Sequence, residues 1–292
     1  MKNNFILLLL CALGVFFFSA CDSATPTTPN ATSSATPVAT AATTAFPKDE
    51  AAKRINQLAT QDGCKDSTAD LRLSFTDAEG KAQQMDFRLQ RKYEGNKVST
   101  LMTVLAPAEE SEKALLAFEE TGKPTDAISY LAGLKKVTHL KSDNPLNFRG
   151  SKSTVQEMLG MEFGNYELVN ATVVTPAGAT EGEMQIELKA KSDLSLSYPK
   201  VVVAYNASGT KIQRIDLYGS TTEKAKTIQI REVKTIQNYQ TITAMEIEDH
   251  GRNQKLKLET RNMKYDTNLP ASLFTEANLI KNVTAASQKQ IQ

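Results

Sequence analysis

Alternation constrains this chain more than any other feature. Met85, Phe87 and Leu89 are interleaved with Asp86, Arg88 and Gln90, and Leu71, Leu73 and Phe75 with Arg72 and Ser74. Met184, Ile186 and Leu188 repeat the pattern against Glu183, Gln185 and Glu187. A period of two puts every second side chain on the same side of a strand, so each segment reads as a half-buried strand with one polar face. Further strands are predicted at Val98–Leu105, Ala114–Phe118, Ile128–Leu131, Lys135–Leu140, Tyr166–Thr175, Lys200–Tyr205, Lys211–Tyr218, Thr227–Thr235, Gln240–Glu248 and Lys255–Tyr265. Short turns join them, such as Ala78–Lys81, Gly95–Asn96 and Asn206–Gly209. About thirteen strands with almost no helix predict a mainly β fold, one meandering antiparallel sheet or barrel.

The first residues read as an address. Lys2 precedes an apolar run from Phe5 to Phe18 that ends in Ser19-Ala20-Cys21. The run is too short, and too abruptly followed by polar sequence, for a good transmembrane helix. Small residues before a Cys resemble a bacterial lipobox, with Phe18 where Leu is usual. Residues 1–20 are therefore expected to be a lipoprotein signal peptide and Cys21 the lipidation site. The alternative is an ordinary secretory signal cut near Ala20, with Cys21 free. Asp22–Ala45 holds 8 Thr, 7 Ala, 3 Ser and 3 Pro in 24 residues. It has no apolar face with which to offset its ordering entropy, so residues 21–46 read as a flexible leash. The expected folded body is 47–283, followed by a tail at 284–292.

Composition narrows the chemistry. Lys and Arg number 34 against 33 Asp and Glu, which lacks the basic excess of a nucleic-acid-binding protein. Three Cys and 2 His are too few for a disulfide scaffold or a metal cluster. Cys64 is expected to be a buried thiol, with a bridge to Cys21 as the rival reading. No Gly-x-Ser-x-Gly elbow, His-Glu-x-x-His or P-loop occurs. His139 and His250 read as surface histidines. Glu109-Glu110 and Glu119-Glu120 read as neighbours pointing apart on strands, both solvated. No catalytic residue, metal or cofactor is expected.

Two helical segments interrupt the strands. Pro47, the acidic Asp49 and Glu50, and the stripe Ile55, Leu58 and Ala59 mark a helix that Gly63 ends. After an Asn/Pro/Gly-rich loop at Ser142–Gly150, Ser153–Leu159 reads as a short helix, with Ser153 and Gln156 as its capping box and Gly160 at its end. A curled sheet of this size, without Trp, encloses either a packed core or an apolar cavity. Leu71, Leu73, Phe75, Met85, Phe87 and Leu89 are the candidate lining of that space.

Several segments, in order, carry a resemblance. They are the first helix and strand with Asp77-Ala78-Glu79-Gly80; Leu105-Ala106-Pro107; Ile128-Ser129-Tyr130-Leu131 running on to Val137; Phe148-Arg149-Gly150-Ser151; and Asn268-Leu269-Pro270 with Leu273, Phe274 and Leu279. Together they resemble the LolA/LolB-like family of outer-membrane lipoprotein-sorting proteins, particularly its uncharacterised periplasmic lipoprotein subgroup. The chain departs from the pattern at Ile128, where the family often has Trp, at Thr138-His139 and at Lys152-Ser153. The resemblance implies an unclosed antiparallel β-barrel with an N-terminal helix and a short helical lid. It implies lipid or lipoprotein acyl chains as ligands, an envelope transporter as a partner, and no enzymatic activity. It places the chain at the bacterial cell envelope, facing the periplasm and anchored to the outer or inner membrane through Cys21. Phe148, Gly150, Val155, Met158 and Leu159 are the candidate lid, with a rigid core helix as the alternative. A structural or complex-forming lipoprotein with a packed barrel is the other functional reading.

Overall fold

A computed structural model describes residues 5–6 and 41–288, apart from 61–62, 77–79, 143, 149–150, 178, 195 and 220–221. Cys21, the expected signal peptide apart from residues 5–6, most of the expected leash, and Gly150 lie outside the described residues.

One large antiparallel sheet dominates. Its first half by sequence is β3 (Asp66–Thr76), β4 (Ala82–Glu94), β5 (Lys97–Ala106), β6 (Lys113–Glu120), β7 (Asp126–Leu131) and β8 (Lys136–Lys141), each paired with the next. Its second half is β11 (Tyr166–Thr175), β12 (Glu183–Ala190), β13 (Lys200–Asn206), β14 (Ile212–Tyr218), β15 (Lys224–Ile236), β16 (Tyr239–Asp249) and β17 (Gln254–Tyr265), again in consecutive order. The two meanders join where β17 pairs with β3. β2 (Ala42–Ala45) adds to β11 at one edge, β8 forms the other, and the two edges do not pair, so the sheet is an unclosed barrel. A two-residue stretch, β1 (Phe5–Ile6), runs parallel to Gln240–Thr241. β9 (Pro145–Phe148) and β10 (Ser151–Thr154) form a separate hairpin.

The alternation sets the faces as expected. Leu71 lies opposite Phe87 and Leu73 opposite Met85, and the same side carries Leu256, Leu258, Ile247 and Met245. A one-residue slip would turn every one of these side chains to water, so the pattern fixes the register. Helix α1 (Lys48–Thr60) packs Ala51, Ile55 and Leu58 into the same apolar cluster. Its acidic Asp49 and Glu50 sit in the first turn, where the helix dipole favours negative charge.

Four expectations are corrected. The leash does not run unbroken to residue 46: Ala42–Ala45 is an edge strand, held by backbone pairing with Thr172–Thr175 despite its featureless sequence. The Ser142–Gly150 stretch is not all loop, since Pro145–Phe148 pairs with Ser151–Thr154. The short helix, α2, is Val155–Leu159, and its capping box is Thr154 with Glu157, one residue later than expected. The boundary expected at 283/284 falls inside a helix, because α3 (Glu276–Gln288) runs across it.

Helix α3 explains a feature of β5 and β6. Leu101 and Leu116 face away from the main cluster, yet both are buried. They pack with Phe274, Leu279 and Val283, so this part of the sheet is covered on both sides. The segment leading to α3 is pinned by the buried Asp66. Its carboxylate accepts from the backbone N–H and hydroxyl of Thr267 at 2.7 and 2.8 Å and from the N–H of Leu269 at 3.1 Å.

Candidate functional site

The inner face of the sheet and the short helix across it form the candidate site. Leu71, Leu73, Met85, Phe87 and Leu89 are at most 4% exposed and Phe75 is 9% exposed. All six belong to one continuous apolar cluster that includes Val155, Met158 and Leu159 of α2. The i, i+3, i+4 stripe of that helix therefore turns inward, as its spacing requires. Phe148 ends β9, and nothing is described of its side chain. A groove of about 620 Å³ opens elsewhere, lined by Ser74, Gln84, Gln229, Arg231, Glu246 and Lys257 among others; of the six predicted lining residues it borders only Phe75.

Polar ties hold α2 on this apolar face. At its N-terminal end, the Glu157 side chain accepts from the backbone N–H of its own cap, Thr154, at 3.0 Å. The same carboxylate accepts from the Tyr198 hydroxyl at 2.6 Å and from the Lys226 ammonium at 3.3 Å. Lys226 also pairs with Asp249 at 3.2 Å. Tyr198 is positioned in turn by Tyr166, whose hydroxyl donates to its carbonyl at 3.0 Å. At the other end, the buried Arg91 guanidinium donates to the carbonyl of Leu159. The helix thus bridges β4 on one side and β15 on the other. Gly160 follows at φ +104, a conformation an L side chain rarely adopts, and its N–H closes the helix on Gln156.

Sequence reasoning missed this cluster, although the strand period held the signal. Lys226 is in phase with Ile228 and Ile230, and Asp249 with Ile247 and Met245, so both sit on the apolar face. They lie directly opposite each other in the β15–β16 register. A charge placed in core phase on two neighbouring strands marks a buried ion pair.

Electrostatics around Arg91 corrects another expectation. Glu109 and Glu110 sit in a 3-10 turn, where Glu110 pairs with Lys113, rather than on a strand. Glu119 and Glu120 do point apart on β6, but only Glu120 meets solvated lysines, Lys97 and Lys123. Glu119 turns towards Arg91 and Glu162, and burial pushes its carboxyl up to about 7, with the like charge of Glu162 adding to the rise and Arg91 opposing it. Burial likewise raises Glu162, which caps the N–H of Gly164 at 3.1 Å. Cys64 is buried, with no cysteine partner among the described residues; its Sγ donates to the Asp66 carbonyl, and burial pushes its pKa up to about 12. His139 and His250 are exposed; His250 Nε2 lies 2.9 Å from the Thr227 hydroxyl. Among the described residues no helix is long and apolar enough to cross a membrane, and no group of His, Cys, Asp and Glu could hold a metal.

Known structures share this architecture. A domain from Vibrio parahaemolyticus described as an outer membrane lipoprotein-sorting protein is 19% identical, with a TM-score of 0.66, covering 79% of this chain and 97% of its own. A DUF1329 family protein from Desulfovibrio piger is 18% identical with a TM-score of 0.67, covering 79% and 96%. A LolA superfamily protein from Nitrosomonas europaea is 18% identical with a TM-score of 0.59, covering 77% and 98%. At these identities the likeness establishes the fold, an open LolA-type barrel. No curated protein matches the chain. A family model described as an uncharacterized protein matches residues 96–281, most of the folded body, and the chain belongs to that family.

Proposed function

We propose that this protein is a cell-envelope lipoprotein that takes up acyl chains of lipids or lipoproteins against the inner face of its open barrel, with α2 as the lid that moves aside. One observation carries the reading: an apolar face built from both meanders packs against a helix of five residues that is tied to the barrel wall through Glu157 and the Leu159 carbonyl. Burial of each methylene contributes about 0.8 kcal/mol, so a single acyl chain supplies enough free energy to displace such a cover. The role requires no covalent chemistry. The similarity to the lipoprotein-sorting domain from Vibrio parahaemolyticus and the short apolar run before Cys21 support an envelope location facing the periplasm. Two or more acyl chains on Cys21 would anchor the protein stably, and the leash would leave the barrel free to reach along the membrane.

Hydrogen exchange with a neutral acyl ligand, a fluorescent diacylglycerol, tests the reading. Amides of Val155–Leu159 are expected to exchange faster than those of Thr241–Ile247 without ligand, and to slow when it binds. Equal protection in both segments, unmoved by ligand, would leave α2 a fixed part of the core. That outcome favours the second reading, a structural envelope lipoprotein, which rests on the near-complete burial of all six candidate side chains.

A further inference from the structure

The buried charges under α2 are the feature that an acyl-binding role does not by itself explain. An apolar chain needs no ammonium group, and burying one is costly unless it is paired. Here Lys226 is about 5% exposed at the side chain, and it sits on the first rung of a ladder. The next rungs on the same face are Ile228 opposite Ile247 and Ile230 opposite Met245. Replacing such a pair by apolar residues is often neutral or stabilising, so stability alone is a weak reason for it to be there.

Lys226 and the Tyr198 hydroxyl converge on one oxygen, Oε1 of Glu157. The Lys226 ammonium also lies 5.9 Å from the centre of the Tyr198 ring. Lys226 and Asp249 belong to the barrel wall, and Tyr198 to the segment just before β13. Glu157 alone belongs to the helix that covers the apolar face. If α2 lifts, Glu157 leaves with it, and two donors remain aimed at the place of a departed carboxylate oxygen. We infer that this is a headgroup site: Lys226 and Tyr198 receive the carboxylate of a fatty-acid-like amphiphile in the position that Glu157 holds in the closed form. The acyl tail then runs from this rung along Ile228, Ile247, Ile230 and Met245.

The charge balance is the same in both states. Closed, the cluster holds one ammonium and two carboxylates, from Glu157 and Asp249. Loaded, the ligand carboxylate replaces that of Glu157 while Asp249 keeps its pairing with Lys226. A neutral headgroup would leave the donors with a weaker acceptor, so the site discriminates by charge. The inference rests on the acyl-binding reading and adds a ligand class to it.

The test compares cis-parinaric acid with its methyl ester, which have the same chain and differ only in headgroup charge at pH 7.5. The wild-type chain is expected to bind the acid more tightly than the ester. Charge-assisted hydrogen bonds set the scale, a preference on the order of tenfold. Tyr198→Phe and Lys226→Met should each lower that acid-to-ester ratio with little change for the ester. Lys226→Met leaves two carboxylates facing each other and could fail to fold. The double variant Lys226→Met with Asp249→Leu removes the pair as a unit and continues the apolar ladder, and it should abolish the preference. Glu157→Gln removes the competing anion of the closed form and should tighten binding of the acid and the ester alike. Three results overturn the assignment while leaving acyl binding intact: equal wild-type binding of acid and ester, a preference that survives in the double variant, or acid binding that is not tightened by Glu157→Gln. Binding of neither probe would overturn acyl binding and the headgroup site together.

Discussion

The side-chain amide of Gln237 stands in for a missing strand at Tyr265. It accepts from the Tyr265 backbone N–H at 2.8 Å and donates to the Tyr265 carbonyl at 3.3 Å. It is needed because β16 and β17 pair only from Ala244 opposite Glu259 to Asp249 opposite Gln254, so the Tyr239–Thr243 part of β16 has parted from its neighbour. The Thr241 and Tyr265 hydroxyls meet at 2.7 Å and add a second tie across this seam. Gln237→Ala removes two hydrogen bonds to one backbone unit, and a loss of about 1–3 kcal/mol is expected. Amide exchange at Tyr239–Thr243 should accelerate while that at Ala244–Asp249 stays slow. Uniform acceleration would mean that the seam does not open by itself.

Phe87 is fully buried opposite Leu71, in the cluster that takes in α2. Phe87→Ala is expected to cost about 3–5 kcal/mol in the closed form. For a domain of this size that corresponds to a fall of roughly 6–20 °C in Tm, which calorimetry would resolve. An unchanged Tm would mean that the inner face is not packed as described.

Glu119 makes stability depend on pH near neutrality. Its folded-state pKa of about 7 lies above the ordinary 4.5, so the folded chain holds the proton more tightly than the unfolded one. Its contribution is fully present below pH 4.5 and is lost as pH rises to about 7 and beyond. Glu119→Gln, which cannot ionise, should raise Tm more at pH 8 than at pH 5. A substitution effect equal at both values would show that Glu119 is not desolvated in solution.

Cys64 should be chemically silent. A thiol whose pKa is pushed up to about 12 holds almost no thiolate at pH 8, and its side chain is buried beneath the Asp66 segment. Iodoacetamide is expected to label it only after denaturation. Rapid labelling of the native protein would mean that the β3 entrance opens readily.

The strand alternation by itself determined the mainly β class, the face each strand buries and the register, because a period of two leaves no freedom once one face must avoid water. The stripe Ile55, Leu58 likewise placed α1, and Val155, Met158, Leu159 turned α2 inward. What the sequence did not determine depended on partners distant in the chain. Ala42–Ala45 has no strand signal, and becomes a strand only because β11 presents an open edge. Helix α3 was hidden because its weak stripe, Leu279 and Val283, acquires meaning only beside the second apolar face of β5 and β6. The capping box slid from Ser153 to Thr154 because hairpin pairing of β10 runs through Thr154 and sets where the helix can begin. Glu119 became a perturbed acid through burial, with the like charge of Glu162, distant in sequence, adding to the rise. Lys226 and Asp249 were legible one at a time as charges in core phase. Only the tertiary structure joined them to Glu157, because an ion pair is set by distance in space, and the chain between Glu157 and Lys226 runs through four strands of the sheet before it closes.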